Sequence, residues 1–488
     1  MCTRLANFLG FHFGAHIQVI GSFSTPVYPY EEPASWTSAL ASLASTAEIE
    51  DAVAPVVLVK GPKRTGKSSM ARAALNTLLG EYAQVAWLEC DLGQGEFGCG
   101  GTVGLWILDR PVLGKQRVSP YTCDLTAGPP FTHSRVPVRA HYPGTYTPLT
   151  CPDEYIAAIR HLLDHYKYEL QYSAGPSAGD ATGDRRNDVV PLVINTQGWV
   201  KGLGEDLLRN IESQASPTHV FAFEHPTLPE DEAYGQPQGH SYSPPYTPSL
   251  LPPEQGGSAE PARLFVLDSA PISPLQARYT GADMRILSMV SYLHGRRTLG
   301  ESEWDLSVPL GAIAPVQVSV GSAGPIKQVF LIGEGADGVH ADDLDIALNG
   351  SIVALGRNDA AAAGREDGDG VFVTGRPVPA HDDMTVFGLG LVRAIRREDT
   401  SDASYKLQII TPLGGDILER VNCIVNSGAI ELPTCGLLDW RSEGEKGEKV
   451  FGAVLESGEV PFLEKGGAGG GVGWERKKVR RNLQRRNV

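Results

Sequence analysis

The stretch VLVKGPKRTGKSSMARAALNTLL, residues 57–79, decides the fold of the first half of the chain. Residues 56–59 form a run that is apolar on both faces, as expected of a buried parallel strand. Residues 61–68 fit the pattern G-x-x-x-x-G-K-S/T, and residues 70–79 then read as a helix. A loop so placed wraps its backbone N–H groups around a phosphate at the start of the helix. The predicted nucleotide-binding residues are Gly61, Pro62, Lys63, Arg64, Thr65, Gly66, Lys67, Ser68 and Ser69.

Two side chains of this loop have the chemistry that a bound nucleoside triphosphate needs. The Lys67 ammonium would reach the β- and γ-phosphates of the nucleotide, and the Ser68 hydroxyl would ligate Mg²⁺. The pattern alone can arise by accident in a glycine-rich chain. The strand before it and the helix after it favour nucleotide binding.

The composition limits the class of protein. With 488 residues the chain can bury two or three cores, and no apolar run is long enough to span a membrane. Seven cysteines without a C-x-x-C pair argue for a reducing compartment and against a zinc site. The net charge of −15 argues against a protein that coats nucleic acid, so a nucleic-acid substrate requires a local basic groove.

Strand-like and helical patterns divide the chain into four parts. Residues 1–50 read as an N-terminal remnant or linker, and residues 51–304 as an α/β P-loop domain with a parallel sheet. Residues 305–465 predict a β-rich, antiparallel C-terminal domain without long helices, and residues 466–488 a Gly-rich linker and basic tail. The candidate strands of the first domain are residues 56–59, 85–91, 192–195, 219–223 and 264–268. Two low-complexity insertions, residues 173–188 and 226–262, are predicted to be disordered.

The stretch VAWLECDLGQGEFGCGGTVGL, residues 85–105, places an acidic residue at the end of a predicted strand. Asp91 would lie beside the P-loop at the carboxyl edge of the sheet, where ligands of α/β proteins bind. There it would hold Mg²⁺ or take the proton of an attacking hydroxyl; the alternative is that it caps the following loop. We call residues 93–104 the clasp, because so Gly-rich a run predicts a flexible backbone closing over a phosphate or an RNA end.

The stretch PLVINTQGWVKGLGEDLL, residues 191–208, carries an aromatic residue at the same edge. Trp199 follows a predicted strand, where its ring would stack on a base; ordinary core packing is the alternative.

In residues 273–295, SPLQARYTGADMRILSMVSYLHG, Arg285 lies within a predicted, partly apolar helix. On a mobile segment it would close over the nucleotide and neutralise transition-state charge, although a surface arginine is the commoner case.

The last 13 residues, RKKVRRNLQRRNV, contain seven Arg or Lys residues and no acid. This tail is opposite in charge to the whole chain. It is either a solvated end or a segment for localisation or for docking on a partner.

Taken together, these motifs resemble those of the nucleolar polynucleotide 5′-hydroxyl kinases, which are related to the cleavage-factor and tRNA-splicing RNA kinases. GPKRTGKSS, ECDLGQGEF, NTQGWVKGLGEDLL and ADMRILSMVSYLHG carry the resemblance, which continues in GLGLVRAI and GAIELP of the C-terminal half. It implies transfer of the γ-phosphate of ATP to the 5′-hydroxyl of RNA or DNA. It also implies pre-rRNA processing at the second internal transcribed spacer with an endoribonuclease partner, in the nucleus and nucleolus.

The resemblance implies a role for each matching residue. Lys67 and Arg285 would assist transfer, and Asp91 would activate the 5′-hydroxyl and help to hold the metal. Gln94, Glu96 and Trp199 would bind the substrate. Such an assignment agrees with the residues themselves, because phosphoryl transfer depends on positioning and charge neutralisation.

This chain departs from the family pattern in two places. Gly95 stands where a threonine is expected, and Cys99 and Gly100 where prolines are expected, which predicts a more flexible clasp. About 54 residues precede the P-loop strand, too few for the family's N-terminal β domain, so that domain is predicted to be missing or truncated. Two other classes stay open: a P-loop ATPase or GTPase switch, and a weakly catalytic scaffold that holds a nuclease.

Overall fold

The P-loop strand β1 (Val56–Lys60) lies inside a seven-stranded sheet of order β4-β3-β2-β5-β1-β6-β7. The other strands of this sheet are β2 (Val85–Glu89), β3 (Val103–Leu108), β4 (Arg139–His141), β5 (Leu192–Asn195), β6 (His219–Phe223) and β7 (Arg263–Leu267). The computed structural model describes residues 32–47, 54–112, 136–172, 185–224, 262–271, 280–298, 301–304, 309–321, 324–362, 372–373, 378–397, 405–433, 442–443 and 449–450.

All five predicted strands of the first sheet are present and pair in parallel. The structure adds two strands that the sequence did not suggest. β3 pairs with β2 and β4 pairs with β3, both antiparallel. β3 begins inside the glycine-rich clasp, which is why its residues did not read as a strand. The predicted α/β class with a P-loop and a mainly parallel sheet is confirmed.

Five helices accompany this sheet: α1 (Ala34–Ala47), α2 (Lys67–Glu81), α3 (Pro152–His165), α4 (Leu203–Ala215) and α5 (Gly281–Leu293). The first four cover both faces of the sheet. One buried cluster joins α1 and α2 to the sheet around Met70, Leu75 and Trp87. The other joins α3 and α4 to its opposite face around Leu88 and Ile159. Strands buried on both faces explain why the strand sequences are continuously apolar.

Helix α1 lies in the part of the chain that the sequence suggested was a remnant or linker. Trp36 of this helix is fully buried and packs edge-on against Phe223. Its indole Nε1 donates to the Asp268 carbonyl at 2.8 Å. Burial of a side chain of this size stabilises by about 2 kcal/mol or more, so residues 34–47 are part of the first core.

The second sheet has seven strands in the order β10-β15-β14-β12-β16-β11-β13. They are β10 (Val316–Val320), β11 (Gln328–Leu331), β12 (Ile352–Asn358), β13 (Phe372–Val373), β14 (Met384–Arg397), β15 (Tyr405–Ile410) and β16 (Cys423–Asn426). The expectation of an antiparallel sheet is wrong at one edge, because β11 runs parallel to both β16 and β13. Its helices are short: α6 (Leu344–Leu348), α7 (Asp359–Ala362) and α8 (Gly415–Leu418).

Both sheets lie in one compact unit, Met1–Cys435, and a second unit covers Gly436–Val488. Two short hairpins complete the strands: β8 (Gly295–Thr298) with β9 (Glu301–Trp304), and β17 (Ser442–Glu443) with β18 (Lys449–Val450). The predicted domain boundary at residue 304 stays a prediction, as does the missing N-terminal domain. Among the described helices, none is long and apolar enough to cross a bilayer.

One of the predicted insertions is shorter than expected. Residues 185–188 were counted with it, but Arg186 pairs with the end of α2: its N–H donates to the Glu81 carbonyl at 2.8 Å, and its carbonyl accepts from Ala83 at 2.8 Å. Its guanidinium also lies over the Tyr82 ring. The rest of that insertion, residues 226–261 of the second one, and the basic tail lie outside the described residues.

Candidate nucleotide and substrate site

The P-loop connects β1 to α2 with the shape that the sequence predicts. Gly66 caps α2 at φ 101°, a left-handed conformation that favours glycine. Gly61 approaches β6 so closely that a Cβ there would lie 2.6 Å from the Phe223 Cβ. Thr65 Oγ1 and Lys67 Nζ both donate to the Pro62 carbonyl, at 2.9 and 2.6 Å. The Pro62 carbonyl therefore holds the Lys67 ammonium within the loop, and a phosphate oxygen can take the place of this carbonyl as the acceptor.

The Lys67 ammonium is buried at the start of α2. Its pKa lies at about 8, because burial lowers it, the Asp91 carboxylate partly opposes this shift, and the nearby Lys63 charge adds to it. Loss of hydration thus disfavours the cation in the absence of an anionic ligand. A bound polyphosphate would supply the negative charge that this site needs.

Asp91 follows β2, at the carboxyl edge of the sheet as predicted. Its Oδ1 accepts from the Gly93 N–H at 2.8 Å and from the Gln94 N–H at 3.1 Å. The carboxylate therefore caps the start of the clasp, as the alternative interpretation proposed. It also acts electrostatically on Lys67, while its role as metal ligand or proton acceptor stays a prediction.

Glu89, the last residue of β2, is a residue that the sequence analysis missed. It is fully buried, and four N–H groups point at its carboxylate. Oε1 accepts from Asp91 N at 3.0 Å and from Asn195 Nδ2 at 2.9 Å. Oε2 accepts from Glu96 N at 2.8 Å and from Trp87 Nε1 at 3.3 Å. Burial raises the pKa of Glu89, and the hydrogen bonds from the Glu96 and Asp91 N–H groups oppose this shift.

Asn195 ends β5, the strand between β2 and β1, and so lies between Asp91 and the P-loop. Its Nδ2 is 3.5 Å from Ser68 Oγ as well as bonded to Glu89. Its Oδ1 is buried without a hydrogen-bond partner among the described residues. An oxygen orphaned beside Ser68 fits the hydration shell of a metal ion, so this edge suits Mg²⁺ bound with ATP.

The clasp is packed, which differs from the expected flexible backbone. Phe97 is buried between Trp87 and Trp106, with ring centroids 5.0 and 6.2 Å away. A Cβ at Gly100 would lie 2.6 Å from the Tyr146 ring, and one at Gly101 2.6 Å from Ile430. The small residues allow aromatic and aliphatic side chains to approach the backbone. Packing against these side chains takes the place of the stiffness that prolines would give.

Glu96 pairs with Arg72 of the P-loop helix, at 3.1 Å between Oε1 and Nε. Burial raises the pKa of Glu96, and the Arg72 charge lowers it. The Glu96 carboxylate thus connects the clasp to α2. If Glu96 also contacts substrate, it must do so while paired with Arg72.

Trp199 is half-buried and lies outside both buried clusters of the first sheet. Its loop packs on the P-loop, because a Cβ at the neighbouring Gly198 would lie 2.4 Å from Lys63 Cγ. The structure therefore places the Trp199 segment against the nucleotide loop, with the Trp199 side chain outside the two buried clusters.

Helix α5 brings Arg285 and Gln94 to one place. A capping box between Thr280 and Asp283 starts the helix. A Cβ added at its first residue, Gly281, would lie 3.4 Å from Gln94 Nε2 and 3.6 Å from Arg285 Nη1. The Arg285 guanidinium lies 4.7 Å from the centroid of the Tyr146 ring, and its Nε is buried without a partner among the described residues.

Fold and loop together define a P-loop α/β protein with a carboxylate that acts on the loop lysine and an arginine beside the clasp. Residues 61–242 match the family model described as mRNA cleavage and polyadenylation factor CLP1 P-loop. A polynucleotide 5′-hydroxyl-kinase GRC3 of Cryptococcus neoformans var. neoformans is 46% identical over 485 residues, covering 97% of this chain and 62% of that protein. The polynucleotide 5′-hydroxyl-kinase NOL9 of Arabidopsis thaliana is 28% identical, covering 84% of this chain and 94% of that protein.

The chain is thus similar to the polynucleotide 5′-hydroxyl kinases, and the resemblance predicted from the motifs is confirmed. It spans about three fifths of the length of the fungal relative, 62%. A solved structure of Clp1p with Pcf11p matches with a TM-score of 0.49 at 14% identity, covering 82% of this chain and 80% of that one.

Proposed function

We propose that the chain is an ATP-dependent polynucleotide 5′-hydroxyl kinase, which transfers the γ-phosphate of ATP to the 5′-hydroxyl end of RNA or DNA. The observation that carries the proposal is the group at the carboxyl edge of the first sheet. A buried Lys67 feels the charge of Asp91, and α5 brings Arg285 beside Gln94. The names of the relatives support the same activity.

The residues of the P-loop fit ATP with Mg²⁺. Lys67 would exchange the Pro62 carbonyl for phosphate oxygens, and Ser68 with Asp91 would hold the metal. When bound, Mg²⁺ neutralises phosphate charge. Asp91 would accept the proton of the 5′-hydroxyl while its Oδ1 stays fixed by the clasp N–H groups. Arg285 would leave the Tyr146 ring to stabilise the charge on the transferred group.

The substrate would lie between the clasp and Trp199. Stacking on an aromatic ring accepts any base, which suits an enzyme that recognises an end and not a sequence. Gln94 is exposed at the start of the clasp and would orient the terminal nucleotide, and Glu96 would hold the clasp in place through Arg72.

The experiment is a transfer assay with γ-labelled ATP and short RNA and DNA oligonucleotides that end in a 5′-hydroxyl. Label should appear on the 5′ end, and oligonucleotides that already carry a 5′-phosphate serve as matched controls. ATP hydrolysis without transfer would favour a P-loop switch, and ATP binding without turnover would favour a scaffold. Either result would overturn the proposal.

We further propose that the natural substrate is pre-ribosomal RNA at the second internal transcribed spacer, processed with an endoribonuclease partner in the nucleolus. The motifs shared with the nucleolar kinases and the basic tail support this proposal. Deleting residues 476–488 should weaken partner-dependent RNA cleavage, while short oligonucleotides should still be phosphorylated. The charges of the tail act over only about 10 Å at moderate salt, so the deletion should affect only a molecule that binds close to the tail. Unchanged cleavage together with lost nuclear import would make the tail an address signal only.

A further inference from the structure

Helix α5 carries Arg285 near its start and ends on the second sheet. Tyr292, two turns after Arg285, reaches strand β14 with its hydroxyl. The hydroxyl accepts from the Leu389 N–H at 2.8 Å and donates to the Leu389 carbonyl at 3.3 Å. Thr411 Oγ1 donates to the same carbonyl at 2.8 Å. One side chain of α5 is thus bonded to both backbone groups of one strand residue.

The sequence of β14 is shaped to receive this hydroxyl. A Cβ at Gly388 would lie 2.3 Å from the Tyr292 oxygen, so only glycine leaves room for it. Pairing between β14 and β15 begins only at Leu391, which leaves the backbone at Leu389 accessible beyond the end of β15. Residues 388–395 are GLGLVRAI, a motif that the P-loop chemistry does not explain.

The second sheet also supports the ring under Arg285. The Tyr146 hydroxyl hydrogen-bonds with the backbone of Glu431, and Ile430 fills the space beside Gly101 of the clasp. Both residues belong to GAIELP, residues 428–433. The two C-terminal motifs therefore contact α5 and the clasp, on either side of Arg285.

We infer that Tyr292 is a positioning residue: its bonds to Leu389 anchor α5 on the second sheet and thereby keep Arg285 within reach of the phosphate site. Seven residues separate the two side chains, which places them on one face of the helix about 10 Å apart. Met289, Val290 and Leu293 are buried around the anchored end, whereas Met284 and Leu287 near Arg285 are exposed. The buried C-terminal end of α5 fixes the direction of the helix axis, and the exposed N-terminal end, which carries Arg285, can move. This inference rests on the proposed kinase function.

The first test measures amide hydrogen exchange of α5 in Tyr292→Phe, which removes only the hydroxyl. The matched control is Tyr166→Phe, since Tyr166 donates its buried hydroxyl to the Val190 carbonyl at 2.7 Å, away from α5. Exchange in residues 281–293 should rise on the order of tenfold in Tyr292→Phe and stay unchanged in the control. Equal exchange in the two variants would overturn the anchor, whether or not the protein is a kinase.

The second test asks whether the anchor acts through Arg285. In the 5′-hydroxyl transfer assay, Tyr292→Phe should lower kcat on the order of tenfold and leave the KM for ATP within about twofold. Because the loss acts through Arg285, adding Tyr292→Phe to Arg285→Ala should lower kcat no further. Losses that multiply in the double variant would refute the positioning role. If the wild-type chain transfers no phosphate but α5 still exchanges faster in Tyr292→Phe than in the wild type, only the kinase function is refuted.

A third variant, Gly388→Ala, disturbs the same contact from the side of β14 and so separates loss of this contact from a general loss of folding. Gly388→Ala leaves every side chain of α5 intact but places a methyl group against the Tyr292 hydroxyl. It should lower kcat as Tyr292→Phe does. Combining it with Tyr292→Phe removes the clashing oxygen, so the double variant should be no worse than Tyr292→Phe alone. If Gly388→Ala alone has wild-type kcat, the contact does not position Arg285.

Discussion

Asn195 donates through Nδ2 to Glu89 Oε1 at 2.9 Å, and this buried bond joins the carboxyl ends of β5 and β2. The same Glu89 carboxylate holds the backbone of Asp91 and of Glu96. The same Asn195 amide lies 3.5 Å from Ser68 of the P-loop. The proposed base, the clasp and the metal-binding hydroxyl are therefore positioned by one pair of side chains that do not themselves need to touch substrate.

Glu89→Gln should destabilise the protein although it keeps the shape of the side chain. All four partners of Glu89 are N–H donors, and an amide NH₂ would face two of them without an acceptor. Leaving buried donors unpaired costs about 1–3 kcal/mol of the free energy of unfolding, which urea titration would measure. The control is Glu205→Gln, which removes an exposed pair with Arg209 and should cost a few tenths of a kcal/mol, roughly. If the two variants lose the same free energy of unfolding, the hydrogen bonds of Glu89 do not stabilise this site.

Lys67→Ala should abolish transfer of the γ-phosphate. Removing a buried ammonium from the P-loop takes away positive charge where negative charge develops, so kcat/KM should fall on the order of 10²-fold or more. Steady-state transfer kinetics on a 5′-hydroxyl oligonucleotide measure the loss. Lys327→Ala, which removes an exposed cation of the second sheet, should be indistinguishable from wild type. Near wild-type turnover of Lys67→Ala would refute the assignment of this loop.

Asp91→Asn should lower kcat and leave RNA binding intact. The asparagine oxygen can still accept from the Gly93 and Gln94 N–H groups, so the start of the clasp keeps its shape. What is lost is the group that takes the proton, worth about 10²- to 10⁴-fold in rate. Fluorescence anisotropy of labelled RNA checks binding, and single-turnover transfer checks chemistry. A variant that retains turnover but loses RNA affinity would make Asp91 a loop cap and not a base.

The position of the site follows from the sequence because each motif is local, whereas the order of the strands does not. A β-strand, a glycine-rich turn and a helix fix the P-loop within about two dozen residues, and the carboxyl ends of parallel strands share one edge. Asp91 and Trp199 come directly after such strands, so the sequence places them beside Lys67 without any knowledge of packing.

What the sequence does not reveal depends on contacts between distant segments. Glu89 reads as one more residue of a buried strand until Asn195, 106 positions later, is seen to meet it. The glycines of the clasp read as flexible because the partners that fill the space, Tyr146 and Ile430, lie far along the chain. The anchoring of α5 on β14 is equally nonlocal. One local signal was available: an acid at the end of an apolar strand, two residues before a second acid, suggests that one of them is buried for a reason.

Trp199→Ala should raise the KM for RNA more than it lowers kcat. Loss of a stacking platform costs about 1–3 kcal/mol of binding, or roughly 5- to 150-fold in KM. Because Trp199 lies outside the buried clusters, the melting temperature should change little, in contrast to Trp87→Ala, which removes a fully buried ring. Trp199→Phe, which keeps an aromatic face, should restore most of the affinity. An unchanged KM with a large loss of stability would return Trp199 to a core-packing role.

Three histidines meet where the first sheet contacts strand β14. His141 of β4 lies with Nε2 2.9 Å from His161 Nδ1, and its ring centroid is 4.5 Å from that of His381. His161 also contacts Asp382 at 2.9 Å, and His381 contacts Glu154 at 3.2 Å. Arg139 and a further histidine, His165, lie close enough to act on the pKa of His141 as well.

This cluster should make the protein less stable in mild acid. Burial, followed by the charges of His381, His161 and Arg139, holds the pKa of His141 well below its usual value, so His141 is neutral in the folded chain. The unfolded chain takes up the proton below about pH 6.5, so the stabilisation is complete above that pH and is lost as the pH falls further. Urea unfolding between about pH 7.5 and 5 should show the free energy of unfolding declining.

His141→Gln, which cannot titrate, should flatten the decline, whereas His340→Gln at an exposed site should not. A smaller slope should remain, because burial and the Arg263 charge also lower the pKa of His219 to about 4. Parallel pH profiles of wild type and His141→Gln would show that the cluster at this contact does not control stability in acid.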